Sequence, residues 1–145
     1  MKVLVQRCRE AHVVVAEETV GAIGHGMLLL VGIEKGDDDA AIMRMAERVL
    51  SYRLFSDAEG KMNLDIRDVQ GALLVVSQFT LAADTRKGRR PSFSSAAVPA
   101  EGRRLYEKFV EALEEKHPSV ATGEFGADMQ VHLVNDGPVT FMLSV

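Results

Sequence analysis

Apolar positions in this chain fall mostly into short β-rich runs. Lys2 to Cys8 and Ala11 to Ala16 are two such runs, and Thr19 to Ile23 follows a polar corner at Glu17-Glu18. The turn Gly24-His25-Gly26 then leads into Met27 to Ile33, apolar enough for a central strand. A different period appears next. Ile42, Met45, Ala46, Val49 and Leu50 make one helical stripe, and Asp37, Asp38 and Asp39 ahead of it serve as N-cap and first turn. Ser56-Asp57-Ala58-Glu59-Gly60 is a turn. The most hydrophobic short run, Ala72-Leu73-Leu74-Val75-Val76, opens a strand expected to reach Phe79. A long segment from Ala82 to Val98 precedes a second helix, which Pro99 opens and His117-Pro118 stops. That helix buries Leu105, Phe109, Ala112 and Leu113. Strands from Glu124, from Met129 to Asn135 and from Val139 to Val145 complete the chain. The pattern predicts an α+β fold: a single domain over residues 1–145, with a curved, mainly antiparallel, barrel-like sheet and two main helices. No linker, repeat or low-complexity stretch divides it.

Composition narrows the class. With 145 residues, 47% of them hydrophobic, the chain can bury a core without disulfides or metal. Its one cysteine, Cys8, has no internal partner. No apolar N-terminal signal segment is present and no run approaches the ~18 residues of a membrane span, so a soluble cytoplasmic protein is expected. The net charge of −4 argues against a general nucleic-acid coat. Local contact with a phosphate backbone stays open, because Arg86, Lys87, Arg89 and Arg90 fall within five residues, with Arg103 and Arg104 further on.

Two segments carry candidate chemistry, each placing small polar groups where a strand stops. Ser77-Gln78-Phe79-Thr80-Leu81 follows the hydrophobic run, so its hydroxyls and backbone amides emerge from a rigid strand end. Asn135-Asp136-Gly137-Pro138-Val139-Thr140 puts a Gly-Pro bond in a tight turn between two strands, a setting for the cis form found in ~5–6% of X-Pro bonds. Other motifs reduce to structure. Gly21 to Gly26 lacks the order of a dinucleotide loop and precedes a strand, so it reads as a hairpin turn. His12, His25, His117 and His132 have no ligand neighbours at metal spacing, and neither a metal nor another cofactor is expected. Ser77 and Thr80 have no histidine, lysine or carboxylate beside them in the motif to act as the base that a nucleophile needs.

The two motifs, together with Gln6-Arg7, Phe55 to Asn63, Ala83 to Gly88 and Arg90-Pro91-Ser92-Phe93, resemble the D-aminoacyl-tRNA deacylase family nearly end to end. The resemblance implies hydrolysis of the ester joining a D-amino acid, or glycine, to the terminal adenosine of a tRNA. It also implies a homodimer in which the Gly137-Pro138 segment, with a cis bond, enters the partner's active site. There the two backbone carbonyls leave no room for an L side chain. Arg7 would orient that segment, Met129 would pack close to it, and Phe125 would neighbour the terminal adenine. Ser77 and Gln78 would shape the pocket or orient water, and amides around Phe79 and Thr80 would stabilise the oxyanion. The substrate's own 2′-hydroxyl would move the proton for which the protein has no base. Arg86, Lys87, Arg89 and Arg90 would contact the tRNA. Two readings from other classes stand beside this one: a non-catalytic nucleic-acid-binding module using the Arg86 to Arg90 loop, and a small-molecule-binding oligomer with a pocket between subunits.

Overall fold

One long strand organises the computed structural model, which describes residues 1–145. This strand, β1 (Lys2–Val15), absorbs both runs expected at Lys2 to Cys8 and Ala11 to Ala16. Arg9 and Glu10 interrupt the hydrophobic pattern but not the extended backbone, because there they face solvent. Ala16 and Glu17, at φ +48° and +69°, form the tight hairpin turn into β2 (Glu18–Ile23). β3 (Gly26–Gly32) follows. The hairpin turn expected at Gly21 to Gly26 is not a reversal. Ala11 lies opposite Ile23 and Cys8 opposite Gly26, so β2 and β3 run along successive halves of β1 in one register, bent at Gly24-His25.

Helix α1 (Asp39–Ser51) buries the predicted stripe together with Ala41. The three aspartates divide the work at its start. Asp38 is the N-cap and accepts from the Ala41 amide at 2.8 Å. Asp37 accepts from the Glu34 amide and the terminal ammonium, both at 2.7 Å, while Asp39 pairs with Lys108 and Arg104 on the second helix. A small hairpin, β4 (Phe55–Ser56) and β5 (Met62–Leu64), folds around Asp57. Strand β6 (Ala72–Ser77) stops two residues short of the expected Phe79. Gln78 leaves the ladder at φ −144° and ψ 78°, and Phe79–Ala82 coil into a 3-10 turn. Helix α2 (Pro99–Lys116) has proline at its first position and ends at the His117 cap.

The last third needs two corrections. The strand expected from Glu124 lies earlier, as β7 (Val120–Thr122). The strands expected at Met129 to Asn135 and Val139 to Val145 are one, β8 (Gln130–Ser144), which passes through Gly137-Pro138 without reversing. Both of its halves pair with β1.

β1 is antiparallel to β2, β3 and β8, whereas β6 runs parallel to β3 and β7 parallel to β6. The two parallel pairings follow from connectivity, since α1 lies on the crossover from β3 to β6 and α2 on that from β6 to β7. Strand alternation then makes two cores. Met27, Leu29, Val31, Leu73 and Val75 face the helices, against Ile42, Met45, Leu105 and Phe109. Leu28, Leu74 and Val76 point the other way, to Cys8, Ala11, Val13 and Ile23. The curl of the sheet encloses this second core: a Cβ at Gly21 in β2 would lie 2.2 Å from the Thr122 carbonyl oxygen in β7. Burial pushes the Cys8 thiol up to about 11, so it is no nucleophile at neutral pH.

Tyr106 of α2 is buried and donates its hydroxyl to the Val75 carbonyl at 2.8 Å. Burial, with a smaller effect of Glu107, raises its pKa to about 12. A folded-state pKa above the unfolded value of 10 means that ionisation favours unfolding. Its contribution to stability is therefore complete below pH 10 and is lost as pH rises through 12. Tyr106→Phe is expected to lower stability by about 1 kcal/mol at pH 7 in chemical denaturation, and to soften the alkaline loss above pH 10.

Candidate active site

The site begins where β6 runs out of apolar residues. The Gln78 amide donates to the Val31 carbonyl at 2.7 Å, fixing the strand end to β3. The next bond belongs to Leu81, whose amide donates to the Gln78 carbonyl at 3.1 Å. The amides of Phe79 and Thr80 precede that bond and have no acceptor within the turn. The Gln78 side-chain amide donates to the Thr80 hydroxyl.

Two adjoining cavities, of about 240 and about 250 Å³, open beside this turn. They share Ser77, Phe79, Phe125 and Gly126, and so form one depression. Tyr106 and Pro99 extend it toward α2, and Gln78, Asp128 and Met129 extend it the other way. Phe125 is held from two sides. Its ring stands 5.6 Å from that of Tyr106, and the Arg103 guanidinium lies 4.8 Å over it. Neither histidine nor lysine lines the depression. Asp128 is its one carboxylate, and it makes no hydrogen bond to Ser77 or Thr80.

Gly137 and Pro138 lie elsewhere. Between the pairs Gln6–Thr140 and Cys8–Asn135, the single residue Arg7 of β1 faces four residues of β8, Asp136 to Val139, so the ladder ejects three extra residues. Gly137 and Pro138 are exposed at the crest, joined by a cis bond. Asn135 shapes the base of the protrusion with its side chain: Oδ1 accepts from the Val139 amide at 2.7 Å and Nδ2 donates to the Thr140 hydroxyl at 3.0 Å. Arg7 fastens it from the side, donating Nε to the Asp136 carbonyl at 2.8 Å and Nη1 to the Leu54 carbonyl at 2.9 Å.

Sheet register measures the separation. Ser77 pairs with Val31, Val31 with Val3 and Val3 with Leu143, five residues beyond Pro138. Three strand spacings of ~4.8 Å and the four rises of ~3.3 Å from Val3 to Arg7, which faces the crest, put the strand end and the Gly-Pro crest roughly 20 Å apart along the sheet.

The basic residues occupy a hairpin tip. Asp84 and Ser92 close its base with backbone bonds of 2.7 and 3.1 Å. Arg86 folds back onto Asp84, with contacts of 2.9 and 2.8 Å that lower the carboxyl pKa far below the usual range. Lys87, Arg89 and Arg90 are exposed, and none has a carboxylate partner.

The model of the D-Tyr-tRNA(Tyr) deacylase family matches residues 4–144. The chain belongs to this family. Proteins named D-aminoacyl-tRNA deacylase from Saccharophagus degradans and Alcanivorax borkumensis are 61% and 63% identical to it over 145 residues, covering all of each chain. A solved structure named c-Myc DNA Unwinding Element Binding Protein superposes with TM-score 0.96 at 38% identity, covering 100% of this chain and 99% of its own. A structure of a probable eukaryotic D-amino acid tRNA deacylase shares the fold, with TM-score 0.81 at 19% identity and 99% and 98% coverage.

In this D-Tyr-tRNA(Tyr) deacylase family member, the fold gathers Ser77, Gln78, Phe79, Phe125 and Met129 around one depression. It sets Gly137, Pro138 and Arg7 apart from them, and Met129 lies with Ser77, not beside the Gly-Pro crest of its own chain. Tyr106 and Asp128 join the site without a signal in the sequence, where Tyr106 is one more apolar position of a helical stripe and Asp128 a loop carboxylate. The structure separates the Arg-Arg pair. Arg104 is engaged by Glu101 at 2.7 Å and Asp39 at 3.1 Å, whereas Arg103 lies over Phe125 at the rim of the depression.

Proposed function

We propose that this chain is a hydrolase that cleaves the ester between a D-amino acid, or glycine, and the terminal adenosine of a tRNA, and that it rejects L-aminoacyl-tRNA. The observation that carries this reading is the strand-end turn: two amides without acceptors beside an apolar depression with no histidine or lysine in its wall. Such a site stabilises charge without supplying an efficient base. An aminoacyl ester suits it, because the ribose brings a 2′-hydroxyl next to the reacting carbonyl. Water adds to the carbonyl carbon, and the oxyanion is held by the amides of Phe79 and Thr80. The 2′-hydroxyl relays the proton from water to the 3′-oxygen as the ester C–O bond breaks. Ser77 and Gln78 shape the pocket floor, and Phe125 meets the adenine. One donor of this kind is worth about 2.7–4 kcal/mol in the transition state. A Thr80 ester intermediate has less support, since the Thr80 hydroxyl is bonded only to the Gln78 amide.

Chirality is assigned to the backbone of Gly137-Pro138, supplied by a second copy of the chain. Roughly 20 Å along the sheet is too far for one aminoacyl group to touch the turn and the crest of the same subunit. A homodimer that exchanges crests brings them together. Carbonyls at a fixed position exclude an L side chain whatever its chemistry, which is how a backbone can read handedness and ignore identity. The test is hydrolysis of D-tyrosyl-tRNA against L-tyrosyl-tRNA by the purified protein. Release from the D form alone is expected, and equal rates on both, or none on either, refute the reading.

The relationship to a protein named for binding a DNA unwinding element favours one alternative, a nucleic-acid-binding module without chemistry. Such a module would bind charged and uncharged RNA alike and release no amino acid. Under the deacylase reading, tRNA meets the hairpin tip. Neutralising Lys87, Arg89 and Arg90 together is expected to weaken tRNA binding and to lower the slope of log K against log salt by about 2, as fewer counterions are released. Arg104→Ala is expected to leave that slope unchanged, because its charge is already spent on Glu101 and Asp39.

A further inference from the structure

Two phenylalanines stand in solvent at the mouth of the depression, where burial would be their usual state. Phe79 is 60% exposed and Phe93 43%. Their ring centroids are 5.2 Å apart, tilted by 52°. Both are fixed by backbone. Phe79 opens the turn after β6 and lines both cavities. Phe93 follows Ser92, which closes the basic hairpin on Asp84, and its carbonyl accepts from the Ala96 amide at 3.1 Å. The pair therefore bridges the depression and a tip whose Lys87, Arg89 and Arg90 have no carboxylate partner. Aromatic faces next to unpaired cations make the composition of a surface for single-stranded nucleic acid, with rings for bases and charges for phosphates. A protein partner covering the same patch would have to desolvate three cations.

We propose that Phe93, backed by Phe79, stacks the base that precedes the terminal adenosine in the substrate's single-stranded 3′ end, while Lys87, Arg89 and Arg90 face the phosphates of that strand. The proposal rests on the deacylase reading, which places the ester in the depression that Phe79 lines. The acylated nucleoside lies inside against Phe125, the preceding base outside on Phe93, and the strand continues toward the hairpin tip. Every base has a π face, so this platform adds affinity for the 3′ end without choosing among tRNAs.

An uncharged oligonucleotide with the 3′-end sequence and 2-aminopurine at the penultimate position reports stacking through quenched fluorescence. The wild-type protein is expected to quench it. Phe93→Leu, which keeps the apolar bulk and loses the π face, is expected to leave it bright, and Phe93→Tyr to restore quenching. In hydrolysis, Phe93→Leu is expected to lower the preference for D-tyrosyl-tRNA over D-tyrosyl-adenosine about tenfold, through KM more than kcat. Equal quenching by wild type and Phe93→Leu, or an unchanged preference, overturns the proposal. A changed oligomer mass of Phe93→Leu in light scattering overturns it too, by assigning the rings to a subunit contact. Failure of the deacylase reading would look different: neither substrate would be hydrolysed by the wild type, and quenching alone would decide the platform.

Discussion

Gly137→Ala is expected to reduce kcat/KM for D-tyrosyl-tRNA by at least about a hundredfold, the effect of misplacing a positioning group. A Cβ at this residue would lie 2.6 Å from Val139 Cγ2, 2.9 Å from the Val139 nitrogen and 3.2 Å from Arg7 Nη2. None of the three can yield freely. Val139 is buried and its amide is held by Asn135, and Arg7 is tied to the Asp136 and Leu54 carbonyls. The backbone at Gly137 also has φ +148°, a conformation that side chains disfavour. The crest must therefore move, at a cost of about 1–3 kcal/mol, which appears as a melting temperature lower by a few degrees. Retention of activity within tenfold, with the melting shift present, would remove the crest from the reaction centre.

Mixed dimers give the second large effect. Thr80→Pro deletes one of the two free amides and is expected to lower kcat about 10²–10³-fold, whereas Thr80→Ala, which deletes only the hydroxyl, stays within tenfold. Thr80→Pro and Gly137→Ala homodimers are then both nearly inactive. If each site combines the turn of one subunit with the crest of the other, a mixed dimer holds one site with both lesions and one with neither. Refolding the two variants together at equal concentration should thus recover about a quarter of wild-type activity, since half the dimers are mixed and each has one intact site. Sites made within one subunit would recover nothing. Activity of the refolded mixture on D-tyrosyl-tRNA separates the two arrangements.

Much of the fold was legible because burial writes itself into local pattern. The run Ala72 to Val76 and the stripes of α1 and α2 are each explained by the face they bury. What escaped the sequence is register, which depends on partners far along the chain. Arg9-Glu10 looks like a break until β8 is seen to pair alongside it. Gly24-His25 has the composition of a reversal, and only the shared register with β1 identifies it as a bend. Gly137-Pro138 has the composition of a turn between two strands for the same reason: proline and glycine end strands locally, while the common partner β1 carries this strand past them. The strand-end motif was visible as a polar sequel to an apolar run. Two parts of its wall were not, because Tyr106 and Asp128 reach it only through the packing of α2 and the loop before β8.

β8 has one further property. It pairs with β1 on one side only, which leaves the other edge of the longest ladder in the molecule without a strand. Open edges of this length invite foreign strands and seed aggregates. The three-residue protrusion interrupts that edge: an incoming strand can follow Gln130–Asn135 or Thr140–Ser144, but cannot run past Asp136 to Val139 in register. The crest that would sort substrates by handedness is thus also an obstacle to strand addition along this edge, and a variant with the crest excised to straighten β8 is expected to form fibres.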